Sequence, residues 1–216
     1  MKKEKTILFD LDGTLIDSTD AILESFYYAF KKNNFVFKGT KEDITKEIGY
    51  PLDVMFHTLG VPKDIVWDFV DSYKENYKNI ANEKTTLLPN AVEAVKLASS
   101  FARLAIVTTK TTQYSKVLLE KLELLHYFET MIGRQEVVNP KPHPEPIFKA
   151  LEELNLKVSE NIYMIGDTKL DLIAANEAKI SSIAVLCGYG EKEELSTFTE
   201  HIVNDSLEAV KSIQKM

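Results

Sequence analysis

Ile7-Leu8-Phe9-Asp10-Leu11-Asp12-Gly13-Thr14-Leu15-Ile16-Asp17-Ser18 is the stretch around which the rest of the sequence is organised. Three consecutive apolar residues with turn residues close behind predict a short strand buried on both faces of a parallel sheet. That strand ends on an acid. Asp10 and Asp12, followed by Gly13 and Thr14, then stand at the carboxyl edge of the sheet, where open α/β folds place their ligands. Burying unpaired charge there is expensive. Asp12-Gly13 is also ordinary turn chemistry, so the pair gains its meaning from what lies further along the chain.

A metal, a set of donors or solvent would each relieve the acid pair, and a phosphoryl-transfer site supplies all three. The 216 residues suffice for one full domain plus a smaller insert, and 44% apolar residues can build a core. With 33 acids against 26 bases the net charge is −7, which argues against a general nucleic-acid or lipid-surface binder. An anionic ligand stays compatible, because local cations and a metal outweigh the average field. Cys187 is the single cysteine, so neither an internal disulfide nor a thiolate metal site is expected, and a reducing compartment fits. No apolar run approaches membrane-spanning length and the amino terminus lacks a secretory pattern, so a cytoplasmic location is expected.

After Asp17 the pattern is helical. Ser18, Thr19 and Asp20 are candidate N-caps for a helix carrying Ile22, Leu23, Phe26, Tyr27 and Phe30. Thr40 opens a second helix through Ile48, which Gly49 stops; Pro51 begins a third, ended by Gly60. Pro62 begins a fourth, in which Trp67, Tyr73 and Tyr77 are expected to be core residues rather than a base-stacking platform. Residues 16–85 thus form a helical module without a convincing strand. From Pro89 onward strands and helices alternate. Arg103–Val107, Met131–Ile132, Asn161–Ile165, Ser182–Leu186 and His201–Val203 are the predicted strands, and Asp205 with Glu208 has capping-box spacing before a last helix. A parallel sheet wrapped by helices follows, interrupted after its first strand by the helical insert.

Three further strand ends are expected to carry polar residues suited to phosphoryl transfer: Thr108 after Ala-Ile-Val, Lys141 in Asn-Pro-Lys-Pro-His-Pro, and Asp167 with Asp171 in Ile-Gly-Asp-Thr-Lys-Leu-Asp. An acid pair, a hydroxyl, a lysine and a second acid pair in this order resemble the haloacid dehalogenase superfamily of phosphohydrolases, in particular its phosphoglycolate phosphatase-like members. The resemblance spans the whole chain. It implies a Rossmann-like parallel sheet of order 3-2-1-4-5, formed by residues 1–15 and 86–216, with residues 16–85 as a small α-helical cap.

It also implies roles. Asp10 resembles the nucleophile, whose carboxylate attacks phosphorus to form an acyl phosphate. Mg²⁺ is the implied cofactor, since it prefers oxygen ligands and sits between carboxylates and phosphate. Its ligands would be the side chains of Asp10 and Asp167 and the backbone carbonyl of Asp12, with Asp171 binding directly or through a water. Asp12 resembles the general acid that protonates the leaving alkoxide and later takes a proton from water. Lys141 and Thr108 would stabilise the transferring oxygens, with backbone donors around Gly13 and Thr109 adding to the phosphate cradle. Thr109 departs from the family, which usually has Asn there.

Bland readings stand beside these. Lys141 between prolines could be a loop charge, and Asp171 in a first helical turn is favoured by the dipole alone. His143 reads as loop structure, His57 as a packing residue, and Cys187 as a small buried apolar side chain. Gly49-Tyr50-Pro51-Leu52 resembles a substrate-specificity loop, with Tyr50 beside the substrate, and reads equally as a helix-helix turn. The implied activity is hydrolysis of a small phosphorylated metabolite, best phosphoglycolate, by a monomer or homodimer with no nucleic-acid or membrane partner. The alternatives are inorganic pyrophosphate, a sugar phosphate, a β-phosphoglucomutase-type transfer, or a non-catalytic module that retains the fold.

Overall fold

The computed structural model describes residues 3–216. The chain divides into two compact units: one is formed by the segment up to Asp17 with Leu87–Met216, the other by Ser18–Thr86.

In the first unit, strand β1 (Lys5–Phe9) leads into the acid pair. A tight turn follows, with the Leu11 carbonyl accepting from Leu15 and Ile16 N–H, and β2 (Ile16–Asp17) is a two-residue strand. The helical module comes next: α1 (Thr19–Lys32), α2 (Lys41–Thr45), α3 (Leu52–Thr58) and α4 (Val66–Lys84). Then β3 (Thr86–Leu87) pairs with β2 in a small ribbon. This ribbon corrects the reading of residues 16–85 as free of strand; two residues are too short to show a period.

The remainder alternates as α5 (Ala91–Phe101), β4 (Ala102–Val107), α6 (Thr112–Lys121), β5 (Thr130–Ile132), α7 (Glu145–Glu153), β6 (Ile162–Gly166), α8 (Lys169–Ala178), β7 (Ser181–Val185), α9 (Lys192–Leu195), β8 (Ile202–Val203) and α10 (Ser206–Lys215). The main sheet is parallel, in the order β5-β4-β1-β6-β7-β8. Counted within this sheet alone, that is 3-2-1-4-5 with a sixth short strand added at the edge. Strand residues alternate between faces. Leu8, Ala105, Val107 and Met164 pack with Ile147, Ala150 and Leu151 of α7 and Ala174, Ala175 and Ala178 of α8. The opposite face is covered by α5 and α10, which also pack on one another.

The helical unit has an aromatic core. Phe26 and Phe56 lie 4.4 Å apart between ring centroids, and Phe30, Phe69, Tyr73 and Tyr77 extend the cluster. Trp67 is not part of it: in the first turn of α4 it is 57% exposed, which corrects the expectation from helical spacing. α2 stops at Thr45, three residues before the expected end, after a capping box in which Thr40 and Asp43 bond reciprocally. His57 is exposed rather than packed, with Nδ1 3.1 Å from the Val61 carbonyl. The box at Asp205 is half formed. Its side chain accepts from Glu208 N–H at 2.9 Å, while the Glu208 carboxylate takes Asn204 N–H instead.

Candidate active site

Strand register brings the reactive residues to one edge. Phe9 lies opposite both Ile106 and Ile165, so Asp10 begins the loop next to Thr108 on one side and Asp167 on the other. The Asp10 N–H donates to the Ile165 carbonyl at 2.9 Å and the Thr108 N–H to Ile132 at 2.9 Å, prolonging the ladders past the last paired residues. Asp10, Thr108, Lys141, Asp167 and Asp171 are all buried.

Lys141 reaches this edge from the loop before α7. Its Nζ lies 2.9 Å from Asp10 Oδ1, donates to the Val107 carbonyl at 3.0 Å, and bonds Asp171 Oδ1. A loop charge would do none of this. One lysine is thus held by two acids and a strand carbonyl, and those acids push its pKa up against the effect of burial. Asp171 is doubly committed, because its Oδ2 accepts from Thr168 N–H at 3.1 Å and from the Thr168 hydroxyl at 2.8 Å. It therefore caps α8 and anchors Lys141 at once. Asp167 Oδ1 accepts from the Thr14 hydroxyl at 3.0 Å and Oδ2 from Tyr189 N–H at 2.9 Å.

Sequence reasoning missed Thr14, Tyr189 and two glycines around these acids. A Cβ on Gly188 would lie 2.1 Å from Asp167 Oδ2, and one on Gly166 2.3 Å from Asp171 Cβ. Gly13, placed in the phosphate cradle on resemblance, has φ +80° and would put a Cβ 2.2 Å from the same Asp167 oxygen. Only backbone fits between the turns and the acid.

Asp10, Asp167 and Asp171 each offer a carboxylate oxygen, and these atoms lie within 4.8 Å of one another. Asp10 Oδ1 is buried, with the Lys141 ammonium 2.9 Å away drawing it by charge and by hydrogen bonding. Burial, the largest influence, and the Asp171 charge raise the Asp10 pKa to about 7 against the opposing pull of Lys141. Burial likewise raises Asp167, with Asp10 and Asp171 adding to the effect. A buried cluster of three carboxylates, all oxygen donors, suits a hard divalent cation such as Mg²⁺.

The other expected residues are placed as follows. Asp12 is not one of the three grouped acids, and its side chain pairs with Lys110: Nζ is 2.9 Å from Oδ2. The Thr108 hydroxyl accepts from Lys110 N–H at 3.2 Å, an arrangement that leaves its own proton to be donated. Thr109 is half-buried beside it. Tyr50 belongs to the helical unit, half-buried between α2 and α3, where its N–H donates to the Glu47 carbonyl at 3.1 Å. His143 is a loop residue whose Nδ1 accepts from Glu145 N–H at 3.1 Å. Cys187 is half-buried rather than buried. Its thiol meets the Gly13 carbonyl at 3.4 Å, and burial lifts its pKa to about 11.

A parallel sheet with buried acids and a lysine converging on its carboxyl edge defines a class, the α/β enzymes of Rossmann-like fold. The chain belongs to the haloacid dehalogenase-like hydrolases, whose family model matches residues 7–185, and it is one of that family's phosphatases. It is similar to the pyrophosphatase PpaX of Anoxybacillus flavithermus, 32% identical over 96% of this chain and 95% of that one. It is also similar to the phosphoglycolate phosphatase of Salmonella typhimurium, 29% identical over 93% of this chain and 88% of the relative. Among solved structures, a haloacid dehalogenase-like hydrolase from Streptococcus pneumoniae superposes with a TM-score of 0.87 at 31% identity, covering 99% of this chain and all of the other. Among the described residues no helix is long and apolar enough to cross a membrane.

Proposed function

We propose that the protein hydrolyses a small phosphate monoester in two displacements at Asp10, with phosphoglycolate as the leading substrate. The observation that carries this reading is the three-acid group: buried carboxylate oxygens of Asp10, Asp167 and Asp171 lie within 4.8 Å of one another, with the Lys141 ammonium 2.9 Å from Asp10 Oδ1.

Asp10 and Asp167 would hold Mg²⁺ through side-chain oxygens and Asp12 through its backbone carbonyl, with Asp171 behind them fixing Lys141. When bound, the ion supplies neutralising charge for the encounter of a carboxylate with a phosphate dianion. In the first displacement a carboxylate oxygen of Asp10 bonds to phosphorus while the bond from phosphorus to the leaving oxygen breaks. Asp12 gives that oxygen its proton, and an alcohol departs. In the second, water gives a proton to Asp12 and its oxygen bonds to phosphorus. The Asp10 bond then breaks, releasing orthophosphate and restoring both acids. Lys141 and the Thr108 hydroxyl stabilise the oxygens of the phosphoryl group in flight.

Inorganic pyrophosphate is the second reading, favoured by the relative named pyrophosphatase at 32% identity. Ranking kcat/KM for phosphoglycolate and pyrophosphate decides between them. The reaction class is tested with p-nitrophenyl phosphate. Turnover is expected to need Mg²⁺ and to be abolished in a folded Asp10→Asn variant; turnover that survives both changes would support a different chemistry.

A further inference from the structure

Nothing in the motif pattern assigns a role to Lys110, yet it is the ion-pair partner of the proposed acid. Its Nζ lies 2.9 Å from Asp12 Oδ2, with the two side chains 8% and 13% exposed. So sheltered a pair is screened much less than one at the surface.

The lysine also springs from a clamped backbone. Its N–H donates to the Thr108 hydroxyl at 3.2 Å, and its carbonyl accepts from Arg134 N–H at 3.0 Å. The following turn is tied to the segment after β5: Thr112 N–H donates to Gln135 Oε1 at 3.0 Å, and the Thr112 hydroxyl bonds the Glu136 carboxylate. Gly133 closes this clamp, since a Cβ there would come within 2.5 Å of the Lys110 carbonyl.

We propose that Lys110 is a positioning residue that fixes the Asp12 carboxyl through Oδ2, holding it in place for proton transfer to the leaving oxygen. The proposal rests on the reading of Asp12 as the acid. A carboxyl that carries its proton on Oδ1 still accepts through Oδ2, so the same contact holds the group as an acid in the first displacement and as a base in the second. Lys141 and Lys110 divide the labour: one faces the nucleophile, the other faces the proton donor.

Dependence on the leaving group tests the assignment. A nitrophenolate leaves with little need of a proton, whereas an ethoxide requires one, and kcat/KM covers the steps only as far as departure of the alcohol. The measured quantity is kcat/KM for ethyl phosphate divided by that for p-nitrophenyl phosphate, taken on one preparation so that any inactive fraction cancels. In Lys110→Met this ratio is expected to fall by about ten-fold or more, a part of the ~10²–10⁴-fold that a positioned acid supplies, and Lys110→Arg should restore most of it. Equal losses for both substrates, or no loss, would overturn the role of Lys110. Asp12→Asn is the companion variant. If its ratio falls while that of Lys110→Met does not, only the Lys110 assignment fails; if its ratio is unchanged, the acid reading fails and the Lys110 assignment with it.

Discussion

The two units of the chain solve opposite problems. In the α/β unit Asp10, Lys141, Asp167 and Asp171 are ionisable groups withdrawn from water, and Asp167 and Asp171 are each approached so closely by glycine backbone that a Cβ there would collide with them. In the helical unit the buried polar groups among the described residues are hydroxyls, Ser18, Ser25, Ser72 and Thr85, around a core of aromatic rings. Its ion pairs among the described residues, Lys32–Glu75, Lys84–Glu24 and Lys41–Glu42, are at the surface, where such pairs add little. Packing stabilises one unit directly. The other holds a cluster of like charges that is satisfied only when cations balance it, and that frustration is what chemistry can use.

The sharpest way to break this contrast is a pair of variants. Lys141→Met leaves Asp10 and Asp171 buried without their cation. It should lower turnover by about a hundredfold or more and destabilise the metal-free protein by about 3–5 kcal/mol, a deficit that Mg²⁺ reduces. Phe56→Ala should cost a similar ~3–5 kcal/mol by opening a cavity in the aromatic cluster, with a difference from the unsubstituted protein that Mg²⁺ leaves unchanged. Denaturant unfolding of both variants with and without Mg²⁺ is the measurement. A Mg²⁺-sensitive deficit in Phe56→Ala would erase the distinction.

An effect on stability of comparable size is expected from pH. The Asp10 pKa rises from 3.8 to about 7 on folding without metal, so between those values the native state binds more protons than the unfolded chain. Stability from this group is therefore full below pH 3.8 and is lost as pH rises through about 7. Metal-free protein should weaken over that window, Asp10→Asn should show a flatter profile, and stabilisation by Mg²⁺ should grow with pH. A smaller effect is expected from Gly188→Ala, whose added Cβ must displace Asp167; a Mg²⁺ titration should show affinity reduced by about 10–100-fold with the fold retained.

Much of the α/β unit was legible because its signals are local. Three apolar residues ending on an acid mark a central strand whether or not the partner strands are known. The sheet order came instead from the resemblance, and the site followed once Thr108 and Asp167 were assigned to strand ends beside Asp10; Lys141, expected at a strand end as well, reaches them from the loop before α7. Lys110 was illegible, since nothing near Thr109 announces that its partner lies in the loop after β1. Gly188 looked like any turn glycine; its reason is an oxygen of Asp167 that only folding brings close. Trp67 shows the limit of periodicity, because a first-turn position keeps the helical spacing while projecting beyond the core. Asp171 is the first-turn acid of its bland reading, capping α8, and it also anchors Lys141, a contact that neither reading contained.

The central claim is that the Asp10 oxygen attacks phosphorus. Acid quenching during turnover of p-nitrophenyl phosphate with Mg²⁺, followed by peptide mass analysis, tests it most directly. A phosphoryl group on the peptide containing Asp10, absent in Asp10→Asn and absent without Mg²⁺, is the expected result. Rapid turnover with no phosphoryl group on that peptide, or with one on another residue, would contradict it.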